Sequence, residues 1–298
     1  MSSLLLEQFL NGIQLGVMLF LMAAGLTLIF GIMNFLNLAH GALYMMGAFF
    51  AATILEWSGS FLLAILLGLA ASAALGIILD VVAFRPLYER SHFDQVLGTF
   101  ALVLFSNDLV VLLWGPEPRY MPIPDWLSGS IPLSGGGSYP IYRLLITGVG
   151  LGVAAALYVL IAHTRTGMLI RAGASNREML GGLGINVRNL SMFVFGLGSA
   201  MAGLAGMING PLIAVQVGMG DVMLIVAFLV IVIGGMGSIA GAFVASIIVG
   251  IVDTLGRFLL PQWFGFTAGP ALASMANYAL MAAVLFARPQ GLLGARRG

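Results

Sequence analysis

The sequence contains no cysteine and no lysine. Without cysteine the chain has no disulfide, no thiolate metal site and no thiol nucleophile. Its twelve basic residues are all arginine and face eleven acidic residues, so the formal net charge is only +1. The arginines form no basic run, and nothing in this pattern favours a nucleic-acid partner.

Charge of either sign is scarce. Only 8% of the 298 residues are charged, whereas 60% are hydrophobic, and the mean hydropathy is +1.08. A water-soluble domain of this length could not bury so much apolar surface. Because Met1–Glu7 lacks the basic residues that open a cleaved signal peptide, we expect the first apolar stretch to be a retained membrane span.

The hydrophobic residues fall into runs long enough to cross a bilayer, for which a helix needs about 20 residues. We therefore predict an all-α fold, a polytopic transmembrane helix bundle of about eight or nine spans. The predicted spans are 8–30, 33–55, 61–84, 95–114, 141–163, 191–215, 220–235, 238–258 and 270–287. For 220–258 the alternative is one span with a re-entrant segment.

Arginine placement predicts the orientation, because loops on the cytoplasmic side of a membrane collect basic residues. Nine of the twelve arginines follow the third, fifth and ninth spans. The ends of these odd-numbered spans all lie on the same side of the membrane. These are Arg85, Arg90, Arg165, Arg171, Arg177, Arg188, Arg288, Arg296 and Arg297. We expect an inner-membrane protein with its C-terminus in the cytoplasm and its N-terminus outside.

Residues 1–298 are predicted to form a single membrane domain with two longer loops. The loop 115–140 lies outside and is rich in Pro, Gly and Ser. It either contacts a protein that delivers a solute or forms an ordered cap without a partner. The loop 164–189 lies inside. A weak similarity between 1–90 and 201–298 predicts an internal repeat, although chance could produce it in so Gly- and Ala-rich a chain.

The stretch 31–49, GIMNFLNLAHGALYMMGAF, places Asn34, Asn37 and His40 at helical i, i+3, i+6 spacing within apolar surroundings. Unsatisfied polar groups are expensive in hydrocarbon. The three side chains are therefore expected on one helix face, towards other helices, a water-filled cavity or a break in the helix. We predict a broken or re-entrant helix near 31–41.

A second break is predicted near 234–241, where GGMGSIAG separates two apolar runs. Glycine permits sharp bends and close helix crossings, and broken helices expose backbone groups along a transport path. Gly234, Gly235 and Gly237 therefore either line a path or serve close packing alone.

Acidic residues inside the apolar runs are expensive and are candidates for function. Asp108 could line a path or pair with an arginine. Asp253 and Arg257, at i, i+4, are expected to form a structural ion pair. Asp80 and Glu56 lie near the ends of their runs and are expected at the membrane interfaces.

The inside loop contains a predicted short helix. Ser175 and Asn176 can cap a helix beginning near Arg177, and Gly181-Gly182 can end it. Arg177 and Glu178 would lie on one side of it, with Met179 and Leu180 on the other. Such a helix suits docking on a soluble partner, and an ordinary solvated loop is the alternative.

Catalytic motifs are missing from the sequence. Its three histidines are far apart and have no metal-ligand spacing, so no metal site and no cofactor are predicted. There is no GxxxxGK[ST] loop, and we expect neither ATP hydrolysis by this chain nor any other enzyme activity.

Four ordered motifs, GIMNFLNLAHGALYMMGAF, TRTGMLIRAGASNREMLGGLGINVRNL, IGGMGSIAGAFVASIIVG and ARPQGLLG, reach across nearly the whole chain. Together they resemble the LivH-type permeases of branched-chain amino-acid ABC transporters. The resemblance implies a system of two related permeases, two cytoplasmic ATPases and an extracytoplasmic solute-binding protein.

This resemblance implies that the 164–189 loop docks on an ATPase. It also implies that the other polar motifs lie near a central path. The implied coupling residues are Arg171, Ser175, Asn176, Arg177, Glu178, Met179 and Leu180. The implied path residues are Asn34, Asn37, His40, Gly41, Gly234, Gly235 and Gly237, to which we add Asp108 from its position in the sequence.

The expected mechanism is alternating access driven by the ATPases. Leucine, isoleucine and valine are the first expected substrates, with urea, short amides and aromatic acids as the alternatives among related permeases. A channel or a secondary transporter for a small solute is the rival function, and neither accounts for the arginine-rich inside loop.

Overall fold

Long apolar runs fold into α-helices, in which every backbone group finds a partner within its own segment. The structure is a computed structural model that describes residues 2–33, 37–88, 90–133 and 137–294. Within these residues the helices are α1 (Ser2–Met33), α2 (His40–Ser58), α3 (Phe61–Leu79), α4 (His92–Trp114), α5 (Ile141–His163), α6 (Arg165–Ser175), α7 (Arg177–Gly182), α8 (Val187–Asn209), α9 (Met219–Gly234) and α10 (Ile239–Ala287). A π-helical turn (Asp80–Phe84) and a 3-10 turn (Arg85–Leu87) continue α3.

Short polar side chains determine where many of these helices begin. Each accepts a hydrogen bond from a backbone N–H three residues later, a group that has no partner within the helix. The capping residues are Ser60 of α3, Ser91 of α4, Thr164 of α6, Asn176 of α7, Asn186 of α8 and Ser238 of α10.

Every predicted span contains a helix, so the all-α bundle is confirmed. In the part of the chain that the structure describes, seven segments have the length and apolarity to cross a membrane by themselves: Leu4–Met33, Phe61–Leu87, His92–Trp114, Ile141–His163, Val187–Asn209, Ile239–Gly265 and Thr267–Ala287. The last two belong to α10, which bends at Gly265, where φ is 81°. The remaining predicted spans correspond to α2 and α9, which adjoin the two predicted breaks.

The chain folds as two compact units. The α2/α3/α8 unit consists of 24–122 and 155–225, and the α10 unit consists of 123–154 with the residues up to 23 and from 226 onward. Neither unit coincides with a predicted repeat half, and the repeat stays a prediction.

Small residues hold the α2/α3/α8 unit together. Gly47 of α2 lies so close to α8 that an added Cβ would be 2.7 Å from the Gly203 carbonyl oxygen. On α3, Gly76 packs against Ser199 and Ser72 against Gly203. Small residues let helix backbones approach, which is how helices associate where apolar side chains gain nothing over lipid.

In the α10 unit, α1 and α10 meet through Gly16, whose added Cβ would lie 2.7 Å from the Ser246 carbonyl oxygen. This unit also holds much of the predicted outside loop. An antiparallel hairpin of β1 (Ser130–Pro132) and β2 (Ser138–Pro140) forms there, with Tyr139 buried. The hairpin is a small addition to the predicted helices.

Candidate functional site

The helical structure is interrupted between α1 and α2 at a polar segment. α1 ends at Met33, whose sulfur lies 3.6 Å from the Ser191 hydroxyl on α8, and α2 begins at His40. Asn37 lies in the connection, where its carbonyl oxygen accepts a hydrogen bond from the His40 amide at 3.3 Å. The predicted helix face is therefore wrong, because the helix ends before Asn37; Asn34 lies outside the described residues.

The start of α2 lies alongside α1, ahead of the end of that helix. An added Cβ on Gly25 would lie 3.0 Å from Nε2 of His40, so the imidazole packs against Gly25. Gly25 precedes Met33 by eight residues, which corresponds to about 12 Å along a helix. The His40 side chain thus lies about two turns before the end of α1, and the predicted broken, re-entrant arrangement near 31–41 is confirmed.

The two described polar side chains at this break are fully buried. Among the residues that the structure describes, the Asn37 side-chain amide has no hydrogen-bond partner for either its nitrogen or its oxygen. A buried polar group left in this state costs about 1–3 kcal/mol. Water or a polar solute that reaches Asn37 would satisfy this amide.

The start of α2 lies against the start of α9. An added Cβ on Gly41 would be 2.7 Å from the Gly220 carbonyl oxygen, so the two backbones touch. The next residue of α9, Asp221, accepts a hydrogen bond of 3.4 Å from the Asn107 amide of α4. Asp108, the predicted path residue, is exposed on the surface of the chain. Its role on a path stays a prediction.

The predicted break near 234–241 is confirmed in the α10 unit, where α9 ends at Gly234 and α10 begins at Ile239. Gly235 and Gly237 have φ values of 102° and 82°, a left-handed region that favours glycine. An added Cβ on Gly234 would lie 2.6 Å from the Gly241 carbonyl oxygen. Close packing is observed at Gly234 and Gly235, and their path-lining role stays a prediction.

The segment after α10 explains why the glycine-rich break and the ending ARPQGLLG occur together. The amides of Leu292 and Leu293 donate to the carbonyl oxygens of Ile233 and Gly234 at 2.8 and 3.1 Å. These carbonyls lie at the end of α9 and have no partner within the helix. The C-terminal segment therefore caps α9, and it approaches too closely for any side chain at Gly235.

The predicted inside loop forms two helices, α6 and α7. The side chain of Asn176 accepts a hydrogen bond from the Met179 amide at 2.9 Å, so the predicted cap is confirmed. Of the seven predicted coupling residues, Arg171, Ser175, Asn176, Glu178 and Met179 are exposed, Arg177 is half-buried and Leu180 is buried.

The two sides of α7 differ from the predicted ones. Arg177 and Leu180 face the chain, where Leu180 packs beside Gly173 of α6. Glu178 and Met179 point away, and Leu183 just after the helix is 71% exposed. The predicted sides are wrong because neighbours in sequence were paired, whereas residues three apart share a helix face. The outward face of α7 is thus Glu178, Met179 and Leu183.

Arg177 is held by a group of residues that the sequence did not reveal. Its guanidinium carbon lies 5.1 Å from the ring centre of Tyr88. The Tyr88 hydroxyl donates a hydrogen bond to the carboxylate of Asp80, which is fully buried. Asp80 is expected at a membrane interface; the structure shows that it is buried within the chain, and its place relative to the membrane stays a prediction. An acidic residue inside the otherwise apolar run 61–84 was the available signal.

On the predicted outer side, ionic and aromatic contacts join the ends of α2 and α4. Arg119 donates to the Glu56 carboxylate at 2.7 Å, and the Trp114 indole donates to the Thr53 hydroxyl at 2.6 Å. The backbone of Arg119 also exchanges two hydrogen bonds of 2.9 Å with Val215. Residues assigned to one side by the arginine pattern thus lie together.

Seven described helical segments with the length and apolarity to cross a bilayer make the chain a multi-pass membrane protein. The chain belongs to the family described as the branched-chain amino acid transport system permease component, whose model matches residues 8–287. It is therefore a multi-pass inner-membrane permease.

Curated relatives cover almost the whole chain. The high-affinity branched-chain amino acid transport system permease protein BraD of Pseudomonas aeruginosa is 31% identical over 97% of this chain and 95% of its own length. The corresponding LivH protein of Escherichia coli is 28% identical over 97% and 95%. A probable LivH of Methanocaldococcus jannaschii is 28% identical over 93% and 89%. No solved structure matches this chain.

Proposed function

We propose that the chain is the permease subunit of a binding-protein-dependent ABC importer that translocates branched-chain amino acids by alternating access. The observation that carries the proposal is the family match over residues 8–287, with relatives named as branched-chain amino acid transport permeases. A related small amphipathic solute is the alternative cargo. The sequence has no phosphate-binding loop, so separate ATPases supply the energy.

The partners of this proposal are a second related permease, two cytoplasmic ATPase subunits and an extracytoplasmic solute-binding protein. The C-terminus lies in the cytoplasm, on the side of the arginine-bearing loops. This orientation places α7 where an ATPase can reach it and the hairpin β1–β2 where a binding protein can.

The polar break between α1 and α2 contributes to the path. Asn37 and His40 are the buried polar side chains there, and Gly41 lets α9 approach. The burial of the polar Asn37 side chain supports this assignment, because a path that admits water or a polar solute supplies partners for its amide. Asn34, Asp108, Gly234, Gly235 and Gly237 complete the proposed path.

The outward face of α7 is the proposed ATPase contact. Met179 is 65% exposed and Leu183 is 71% exposed, four residues apart and therefore on the same side. These two large apolar side chains form an exposed surface that a protein partner can cover. Arg177 and Leu180 face inward and fix the helix to the permease.

Reconstituted vesicles test the function. With both permeases, the ATPases and the binding protein present, we expect ATP-dependent uptake of leucine, isoleucine or valine. Omitting the ATPases should abolish uptake. Transport at the full rate without them would contradict the proposal and favour a channel or a secondary transporter.

The coupling face can be tested with the double variant Met179→Glu and Leu183→Glu. We expect it to lose co-purification of the ATPases, because two charges replace the apolar contact. Ile131→Glu, at an exposed position of the hairpin, is the matched control and should keep them. Undiminished co-purification in the double variant would exclude this face as the contact.

The path assignment can be tested in this cysteine-free chain by Asn37→Cys. We expect the thiol to react with an aqueous reagent in one nucleotide state and to be protected in the other. Ile29→Cys, at a buried apolar position of α1, should be protected in both. Protection of Asn37→Cys in every state would remove it from the path.

A further inference from the structure

The end of α3 contains a buried carboxylate that the proposed function does not use. Asp80 begins the π-helical turn and is fully buried. Its Oδ1 accepts the hydrogen bond from the Tyr88 hydroxyl, and its Oδ2 lies 3.5 Å from Nε of Arg85. Replacing a buried ion pair with apolar side chains is often neutral or stabilising, so stability alone is a weak reason for it. Single π-helical turns are frequent at functional sites.

Tyr88 connects this carboxylate to the proposed coupling helix. Burial of the phenol, its hydrogen bond to Asp80 and the Asp80 charge raise the pKa of Tyr88, so the hydroxyl stays protonated and donates. The face of the same ring carries the Arg177 guanidinium at 5.1 Å. One side chain thus contacts α7 with its face and α3 with its hydroxyl.

The same turn also contacts α8. The Phe84 ring stacks on the Phe195 ring with centres 5.0 Å apart, and both side chains are fully buried. The Tyr88 ring lies 6.5 Å from Phe195. Contacts therefore run from Arg177 through Tyr88 to the end of α3 and to Phe195 of α8.

The other anchor of α7 has a different character. Leu180 is buried beside Gly173, which also approaches Leu190 of α8 and Ile32 of α1. This contact is apolar and non-directional, so it resists separation but does not fix an angle. The hydrogen bond and the ring contact at Arg177 are directional and do fix one.

We propose that Asp80, Tyr88 and Arg177 are positioning residues that convert movement of α7 into movement of α3 and α8. This inference rests on the proposed function, since it assumes that an ATPase moves α7. The two can be separated, because docking requires the outward face of α7, whereas transmission requires the inward link.

The test measures solute transported per ATP hydrolysed by the full complex in vesicles. Tyr88→Phe keeps the ring and removes the hydroxyl, and Arg177→Ala removes the ring contact at a half-buried position. We expect both to keep the ATPases bound and to lower the ratio at least about fivefold, a typical allosteric coupling factor. Arg177→Lys should recover part of the ratio, and Tyr158→Phe, at an exposed tyrosine of α5, should leave it unchanged.

Three results are decisive against the link. An unchanged ratio in Arg177→Ala would show that the contact transmits nothing. Loss of ATPase binding in that variant would show that it holds the docking surface instead. An equal reduction in Tyr158→Phe would show a non-specific effect. If the wild-type complex contains no ATPase, the proposed function itself fails, which is a separate outcome.

Discussion

Gly25→Ala should separate the helices that surround the polar break. An added Cβ would lie 2.6 Å from the Gly198 carbonyl oxygen and 3.0 Å from Nε2 of His40. An ordinary carbon–oxygen contact is 3.3 Å or more, so the α1–α8 crossing would have to widen by about 0.7 Å. The backbone of Gly198 cannot rotate away as a flexible side chain could.

The expected cost follows from two opposed terms. Overpacking a tight contact costs about 1–3 kcal/mol, whereas replacing Gly by Ala within a helix gains up to about 1 kcal/mol. Gly152→Ala in α5 isolates the second term, because nothing lies within 4 Å of its added Cβ. The difference between the two variants is then the overpacking cost, about 1–3 kcal/mol.

Thermal unfolding in detergent measures this difference. At about 2–4 °C per kcal/mol, Gly25→Ala should melt roughly 2–12 °C below Gly152→Ala. ATP-driven uptake of the Gly25→Ala complex should fall as well, because His40 moves with the added methyl group. Equal melting temperatures would show that the crossing relaxes freely and that close approach does not require Gly25.

Two further predictions concern the C-terminal cap and the outer side. Gly235→Ala and Gly265→Ala both force alanine to a positive φ, which costs about 1–3 kcal/mol each. Only Gly235→Ala also collides with Gly294, whose Cα lies 2.6 Å from the added Cβ. Proteolysis of the C-terminal segment should therefore accelerate more in Gly235→Ala, and equal rates would contradict the capping role. A double-mutant cycle of Trp114→Phe and Thr53→Ala should give a coupling energy of about 0.5–1.5 kcal/mol in melting experiments, because each variant removes the hydrogen bond between the two side chains. A coupling energy of zero would show that this hydrogen bond contributes nothing.

Features that depend on near neighbours were predictable from the sequence. The breaks near 31–41 and 234–241 are signalled by polar residues and glycines within apolar runs. The Asp253–Arg257 ion pair, at 2.8 Å, follows from the i, i+4 spacing on one helix. Asparagine at a helix start predicts its own cap, as Asn176 shows.

Contacts between distant parts of the chain were not predictable. The sequence does not show that Asn277 also donates to Asp253 at 2.9 Å, because 24 residues separate them. Nor does it show which side of α7 faces inward, since the Arg177 and Leu180 side chains are no more apolar as a pair than their neighbours. Tyr88 had no local pattern that marked it.

By itself, the sequence determined that this protein is embedded in lipid, that it is helical, and where its spans approximately lie. Hydrocarbon permits only backbone whose hydrogen bonds are made within the protein, and it favours apolar side chains at every lipid-facing position. The order of its motifs determined the family. Only the tertiary structure decided that the chain folds back after α1, that Asp80 is buried under Tyr88, and that α7 turns Met179 and Leu183 outward. The reason is physical: burial and hydrogen bonding depend on which segments meet in space, and one-dimensional periodicity does not contain the depth or the neighbour of a side chain.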